Sequence, residues 1–119
     1  MAGYAIITNN PDVHGKYPEI AAYIDGGVMD VFTHVRDAVH LGGKIISHPL
    51  SGSVKPNESP YRSVVIVPGA GPVDFKSLHI IEDAVATLAR LGKREHNFDE
   101  SVLADFRIID LDLMNSVYK

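Results

Sequence analysis

The chain has 119 residues, of which 45% are hydrophobic and 22% charged, with a formal net charge of −4 and no cysteine. This length and composition predict a single globular domain over residues 1–119, and the lack of cysteine excludes disulfides, a thiolate nucleophile and sulfur-ligated metals. The net negative charge argues against a nucleic-acid partner, and no window reaches the roughly 20 apolar residues needed to cross a membrane. The N-terminal segment also lacks the basic start of a signal peptide, so we expect a cytoplasmic protein.

The first half of the chain alternates short apolar runs with helical patterns. Asn10 followed by Pro11 predicts a helix start, because the side chain caps the helix and proline has no amide hydrogen to satisfy. Later, apolar residues recur at i, i+3, i+4 and i+7, which predicts an amphipathic helix that Gly42 and Gly43 end. The predicted elements are a strand at 4–8, a helix at 11–17, a strand at 19–25 and a helix at 28–41.

The second half contains a long polar interruption and two longer helical patterns. Asp74 or Ser77 can cap the first of these helices, and Asn97 with Glu100 resembles a capping box that opens the second. The predicted elements are a strand at 44–47, a loop at 48–61, a strand at 63–67, a helix ending at 91 and a last helix from 97. The strands and helices therefore follow the order βαβαβ-β-αα, which predicts a three-layer α/β domain with about four mainly parallel strands. The fourth strand could be antiparallel to the third, since no helical pattern separates them.

The last helix has apolar residues around much of its circumference. Its predicted inward stripe consists of Val102, Phe106, Ile109, Leu113 and Val117. Ile108 and Leu111 lie off that stripe, which is compatible either with a homodimer contact or with a strand-like stretch packed into the core. The acids of this segment are interpreted as solvent-exposed or as the rim of an interface, namely Asp105, Asp110 and Asp112.

Two polar segments follow predicted strands, where open α/β sheets bind ligands. Thr8, Asn9 and Asn10 follow the first strand and could hold a phosphate or carboxylate at the start of a helix, although an ordinary helix cap has the same sequence. The loop from His48 to Tyr61 is longer than most structureless loops and contains three prolines, which favours an ordered functional loop. The alternative is a proline-braced loop that caps the sheet or contacts a partner protein.

The segment from Gly43 to Ser63, which contains this loop, is locally basic in an acidic protein, which suits a small anionic ligand. Its charged residues are Lys44, Lys55 and Arg62 against Glu58. Its serine, glycine and amide groups could wrap an anion, with Lys55 supplying positive charge. The predicted ligand-binding residues are Thr8, Asn9, Asn10, His48, Ser51, Gly52, Ser53, Lys55 and Asn57.

Catalytic, cofactor and metal motifs are missing from the sequence. The loop matches neither a Walker A loop nor a nucleophile elbow, and His48 with Ser51 lacks a third catalytic member. The spacing of the six histidines matches no zinc motif. We therefore predict no catalytic residue, no metal and no cofactor, and a protein more compatible with binding than with catalysis.

The segments IITNNP near the start and HPLSGSVKPNESPY in the middle resemble those of the GrdX family. These are small proteins encoded beside the glycine, sarcosine and betaine reductase components of amino-acid-fermenting anaerobes. The resemblance implies an accessory or regulatory protein without an assigned activity, with reductase components as partners. It supplies no catalytic residues. The alternative is a small enzyme acting on a phosphorylated or carboxylated metabolite, with His48 as the acid–base group.

Overall fold

The computed structural model describes residues 3–51, 55–92 and 97–117. Its elements in chain order are β1 (Ala5–Thr8), α1 (Pro11–Lys16), β2 (Ala21–Tyr23), α2 (Val28–His40), β3 (Lys44–Ile45), β4 (Ser63–Val67), α3 (Phe75–Leu91) and α4 (Glu100–Val117). This order confirms the predicted βαβαβ-β-αα sequence of elements. The predicted strands at 19–25 and 44–47 are longer than β2 and β3. Among the described residues, no helix has the length and hydropathy of a membrane span.

The four strands form one sheet in the order β2-β1-β4-β3. β1 pairs with β2 in parallel, whereas β4 is antiparallel to both β1 and β3. Three strands therefore share a direction, as predicted, and the fourth is antiparallel to the third. Because the reversed strand lies inside the sheet, only one of the three pairings is parallel. The carboxyl ends of β1, β2 and β3 consequently meet the amino end of β4 at one edge of the sheet.

Helices cover both faces of the sheet, which confirms the three-layer architecture. One core lies between the sheet and the helices α2 and α3, where Ile7, Val64 and Ile66 pack against residues such as Phe32 and Ile81. The second core lies on the opposite face. Its fully buried members are Ile6, Val13, Val65 and Met114. Alternation along β1 and β4 sends neighbouring side chains to opposite cores, so both strands are buried on two faces and consist almost entirely of apolar residues.

The start and the orientation of α4 differ from the sequence prediction. The helix begins at Glu100 rather than Asn97, and its cap is Asp99, whose Oδ1 accepts a hydrogen bond of 3.1 Å from the amide of Val102. Ile109, predicted to face inward, is 49% exposed. The buried positions are instead Asp110 and Met114, so the predicted exposure of Asp110 is wrong as well. The reason is a polar contact, because this orientation places the Asp110 carboxylate over the Ser63 hydroxyl of β4 and the side-chain amide of Asn10, the cap of α1.

Candidate functional site

The described parts of the 48–61 loop consist of two hydrogen-bonded turns. The Ser51 amide donates to the carbonyl of His48 at 3.0 Å, and the Glu58 amide donates to the carbonyl of Lys55, also at 3.0 Å. Each turn has proline at its second position, where the fixed φ of proline favours the turn. Leu50 packs against the core below α2 and α3. The loop is therefore anchored at both described ends.

Asn9 joins this loop to the carboxyl edge of the sheet. Its Nδ2 donates to the carbonyls of Gly26 at 2.9 Å and Pro60 at 2.7 Å, and its Oδ1 accepts from the amide of Arg62 at 2.8 Å. The residue is only 4% exposed, so its amide group satisfies three backbone groups of two other segments in a buried position. The segments 8–11 and 48–61, separated by about forty residues of sequence, thus meet in space through Asn9.

A second polar cluster lies beneath this edge, between the sheet and α4. The Ser63 hydroxyl donates to Asp110 Oδ2 at 2.6 Å, and Asn10 Nδ2 donates to the same oxygen at 3.0 Å. Thr8 Oγ1 accepts from the Asn10 amide at 2.9 Å and lies 2.6 Å from Ser63 Oγ. Since the Ser63 hydrogen points to the carboxylate, the Thr8 hydroxyl donates to Ser63. The groups at Thr8 and Asn10 thus hold a carboxylate that belongs to the protein itself.

Two buried groups of opposite charge, Asp110 and Arg62, determine the electrostatics of this cluster. Burial raises the pKa of the Asp110 carboxyl above its ordinary value, against the hydrogen bonds from Ser63 and Asn10 and the charge of Arg62, which lower it. Burial likewise lowers the pKa of Arg62, and the charge of Asp110 opposes that change. The guanidinium of Arg62 donates through Nη1 to the carbonyl of Ser51 at 2.8 Å. Its charge therefore stabilises Asp110 and the start of the loop.

A cleft of about 640 Å³ opens at the carboxyl edge of the sheet. It lies between the start of α2, the second turn of the 48–61 loop and the end of α3. Its volume is within the range of small-molecule sites, about 300–1,000 Å³. The lining residues are Gly26, Gly27, Val28, Met29, Asp30, Pro56, Asn57, Ser59, Pro60, Leu88, Ala89 and Gly92.

The lining of the cleft is mainly apolar, with polar groups at its two helix ends. The first-turn amides of α2 point toward the cap at Gly27, and Asp30 Oδ2 accepts the Gly27 amide hydrogen at 2.8 Å. The amides of Val28 and Met29 belong to the same first turn, where a helix leaves its N–H groups without helical partners. The opposite wall is the carboxyl end of α3, whose dipole is negative. The α2 end of the cleft therefore combines partly positive amides with the carboxylate of Asp30, and the α3 end is partly negative.

The structure distributes the predicted ligand-binding residues over three environments. Asn57 lines the cleft, and its Nδ2 donates a long hydrogen bond of 3.5 Å to the carbonyl of Leu91. Thr8, Asn9 and Asn10 are buried and bonded within the protein as described above. His48, Ser51 and Lys55 are not among the residues that line the cleft. The predicted positions Gly52 and Ser53 lie outside the described residues. Ligand contact by any of these residues stays a prediction.

The side chain of His48 is exposed, and its Nδ1 accepts a hydrogen bond of 3.1 Å from the Leu50 amide. This bond leaves the proton of the neutral ring on Nε2. Lys55 is also exposed, whereas the other cation next to the loop, Arg62, is 5% exposed and faces the interior. Of these two cations, Lys55 therefore faces solvent and Arg62 faces the Asp110 cluster.

Sequence reasoning missed the start of α2, which completes the cleft, and Asp110, which completes the polar cluster with Asn10 and Ser63. Gly26 to Asp30 follow β2 and carry the first turn of α2, and their Gly-Gly pair was the only local signal. Asp110 lies between Ile109 and Leu111 in an apolar helical segment, a context that is compatible with burial of its charge. Within the described residues, no group of three histidine, aspartate or glutamate side chains converges as a metal ligand set would.

Comparison with known proteins identifies the family of the chain. A family model for GrdX-like protein matches residues 5–119, which include both polar clusters and every residue that lines the cleft. No curated protein and no solved structure matches the chain significantly. Because the family model covers nearly its whole length, the chain belongs to the GrdX-like protein family.

Proposed function

We propose that this protein is a non-enzymatic accessory or regulatory protein of glycine, sarcosine or betaine reductase systems. In this proposal it binds a small ligand with an anionic group in the cleft beside the 48–61 loop, and reductase components are its partners. The reductase context rests on what the family resemblance implies. The ligand rests on the cleft, which is the single observation that carries the proposal.

The position of the cleft supports a binding role. It lies beyond the carboxyl ends of β1 and β2, and in open α/β sheets ligands bind at such an edge. One of its walls is the turn of Pro56 and Asn57, which the side chain of Asn9 fixes to the sheet through Pro60. A loop held in this way presents a preformed surface, so a ligand need not bear the entropic cost of ordering it.

The ends of the cleft indicate the chemistry of the ligand. A carboxylate or phosphate would accept hydrogen bonds from the amides of Val28 and Met29. Asp30 lies beside the same amides, so a positive group would lie close to the anionic group of the same molecule, while Met29 and Leu88 would contact apolar carbon atoms. These features favour a small zwitterionic or carboxylated molecule over a highly charged polyanion, because Lys55 and Arg62 do not line the cleft.

The alternative, an enzyme with His48 as the acid–base group, has weaker support. General acid–base catalysis requires the group within hydrogen-bond reach of the substrate. The exposed ring of His48 is not among the cleft-lining residues, and its Nδ1 is already bonded to the Leu50 amide. The same arrangement suits a residue that shapes the first turn of the loop.

Thermal unfolding in the presence of glycine, sarcosine, betaine, acetyl phosphate and phosphate tests the proposal. A ligand at ten times its Kd stabilises the native state by about 1.4 kcal/mol, which raises Tm by about 5 °C for a domain of this size. Met29→Trp fills the cleft and should abolish the increase. Leu41→Trp, at an exposed site near the other end of α2, is the matched control and should retain it.

Two results would contradict the proposal. The first is no change in Tm with any of these compounds together with no co-purification of reductase subunits. The second is an undiminished response of Met29→Trp, which would locate the bound ligand elsewhere on the protein.

A further inference from the structure

The polar groups of the cleft differ between its two walls. The first turn of α2 presents the amide hydrogens of Val28 and Met29 beside the carboxylate of Asp30. The opposite wall, formed by the loop and the end of α3, presents oxygen atoms. Ala89 belongs to the last turn of α3, where a helix leaves its carbonyl groups without helical partners. A polar ligand group that faces this wall therefore needs to donate hydrogen bonds.

Asn57 supplies the oxygen atom with the strongest requirement for a donor. Its Oδ1 is buried and has no hydrogen-bond partner among the described residues. A buried acceptor without a donor destabilises a folded protein, so such groups are rare. The orientation of the amide is fixed by the carbonyl of Leu91, because only the Nδ2 end can donate to it. The unpaired atom is therefore the oxygen, which only a donor can satisfy.

The loop residues that line the cleft beside Asn57 are poor sources of such a donor. Pro56 and Pro60 have no amide hydrogen. The hydroxyl of Ser59 already donates to the carbonyl of Tyr61 at 3.2 Å. Asn57 Oδ1 thus remains an acceptor that a ligand can satisfy.

The Asn57 amide is weakly held in its present orientation. Its hydrogen bond to the carbonyl of Leu91 is 3.5 Å long, whereas the usual range is about 2.7–3.2 Å. Turning the amide toward the cleft would break this one weak bond and bring Oδ1 within reach of a bound donor. Because Oδ1 has no partner to lose, the new hydrogen bond would be gained in full.

The cleft lining also distinguishes between kinds of cationic nitrogen. Quaternary ammonium groups are typically recognised by the faces of aromatic rings. Among the described residues that line the cleft, none is aromatic. A quaternary group has no hydrogen to donate, so its methyl groups would cover Asn57 Oδ1 without pairing it. A protonated amine could donate to this oxygen and still lie near the carboxylate of Asp30.

We infer that the cleft binds a carboxylated ligand whose ammonium nitrogen retains at least one hydrogen, and that Asn57 Oδ1 accepts this hydrogen. This ligand class rests on the proposed function and narrows it, because glycine and sarcosine belong to the class and betaine does not. Asn57 is then a specificity-determining residue. A site that hydrogen-bonds a donor rejects analogues without that donor more strongly than analogues that differ only in size.

A methylation series tests the inference on the wild-type protein. Glycine, sarcosine, N,N-dimethylglycine and betaine carry three, two, one and no N–H groups at neutral pH, and each step adds one methyl group. Titration of ¹⁵N-labelled protein gives the Kd of each compound. The step from dimethylglycine to betaine should weaken binding at least tenfold more than the step from sarcosine to dimethylglycine, because only the last step removes the final donor.

Matched variants assign this excess loss of affinity to Asn57. Asn57→Leu keeps a side chain of similar size without an acceptor, so it should reduce the excess at least threefold. Asn115→Leu makes the same change on α4, which packs on the opposite face of the sheet, and should leave the excess unchanged. Thermal unfolding verifies that both variants are folded.

The side chain of Asn57 provides a readout that needs no variant protein. Its side-chain amide resonances in the wild type should shift with dimethylglycine and stay in place with betaine. An asparagine with a purely structural role would show no such difference between the two compounds.

The outcomes separate this inference from the proposed function. Binding of betaine as tightly as dimethylglycine, or saturable binding of acetyl phosphate alone, would overturn the inference and leave a ligand in the cleft. No saturable binding of any compound would overturn both. An equal excess loss in Asn57→Leu and in the wild type would overturn the role of Asn57 and assign its oxygen to an internal water molecule.

Discussion

Replacing Asp110 by alanine should destabilise the protein far more than an aspartate on a helix surface normally would. The carboxylate accepts hydrogen bonds from Ser63 Oγ at 2.6 Å and Asn10 Nδ2 at 3.0 Å, and it lies in the field of the buried Arg62. Hydrogen bonds to charged groups contribute about 1.5–3 kcal/mol each, and breaking a buried charge pair costs about 3–5 kcal/mol. We expect Asp110→Ala to reduce the free energy of unfolding by about 4 kcal/mol, or Tm by roughly 15 °C.

Two further variants make this expectation specific. Asp110→Asn retains an acceptor oxygen for Ser63 and Asn10 but still removes the counter-charge of the buried Arg62, so it should cost about 2–3 kcal/mol, less than Asp110→Ala. Asp112→Ala changes an exposed acid two residues away and should alter stability by less than about 0.5 kcal/mol. Urea unfolding followed by circular dichroism measures all three. A loss for Asp110→Ala within 0.5 kcal/mol of that for Asp112→Ala would refute the role given to the buried cluster.

Three other predictions concern the loop, a glycine turn and the pH dependence. Asn9→Ala removes the partner of three backbone groups, of which the Arg62 amide is buried, and should lower the free energy of unfolding by about 2–3 kcal/mol in urea titrations. A change below about 1 kcal/mol would show that water replaces the amide. Gly42 has φ +102°, and a Cβ there would lie 3.0 Å from a backbone nitrogen, so Gly42→Ala should destabilise the protein by about 1–3 kcal/mol. The control is Gly15→Ala, in open space within α1, which should stabilise the protein by about 0.5–1 kcal/mol. The pKa of Asp110 is raised in the folded state, so its contribution to stability falls as the pH rises from its unfolded pKa through its folded pKa. The stability of Asp110→Asn relative to the wild type should therefore increase from pH 4 upward. A constant difference between the two proteins would contradict the raised pKa.

Most of the fold follows from local sequence patterns. The spacing of Val28, Val31 and Val35 predicts α2 correctly, and the run from Ser63 to Val67 coincides with β4. Short edge strands are harder, because β2 and β3 are bounded by pairing with β1 and β4 rather than by their own residues. Their predicted lengths therefore exceed the observed ones.

The orientation of α4 was not predictable from its hydrophobic pattern. The strongest apolar stripe of this helix runs through Ile109, and yet the side that packs on the sheet is the one with Asp110. What determines the rotation is a set of donors more than forty residues away in sequence, at Asn10 and Ser63. Pattern analysis places apolar residues inside and cannot recognise a carboxylate whose partners are a helix cap and a strand residue distant in the sequence.

The candidate site was predictable in part. The 48–61 loop does meet the segment at Asn9, and Asn57 lines the cleft. The remaining walls, at Gly26 to Asp30 and at Leu88 to Gly92, come from a helix start and a helix end whose residues carry no ligand-binding signature. Only the tertiary arrangement brings these backbone groups to the loop.

The central claim is that the cleft beside the 48–61 loop binds a small ligand with an anionic group. Its most direct test is titration of ¹⁵N-labelled protein with betaine, sarcosine, glycine, acetyl phosphate and phosphate, followed by amide chemical shifts. We expect at least one compound to shift the amides of Val28, Met29 and Asn57 in a saturable manner and to leave those of Ile108 and Asp112 unchanged. No saturable shift with any compound, or shifts confined to residues outside the cleft, would contradict it.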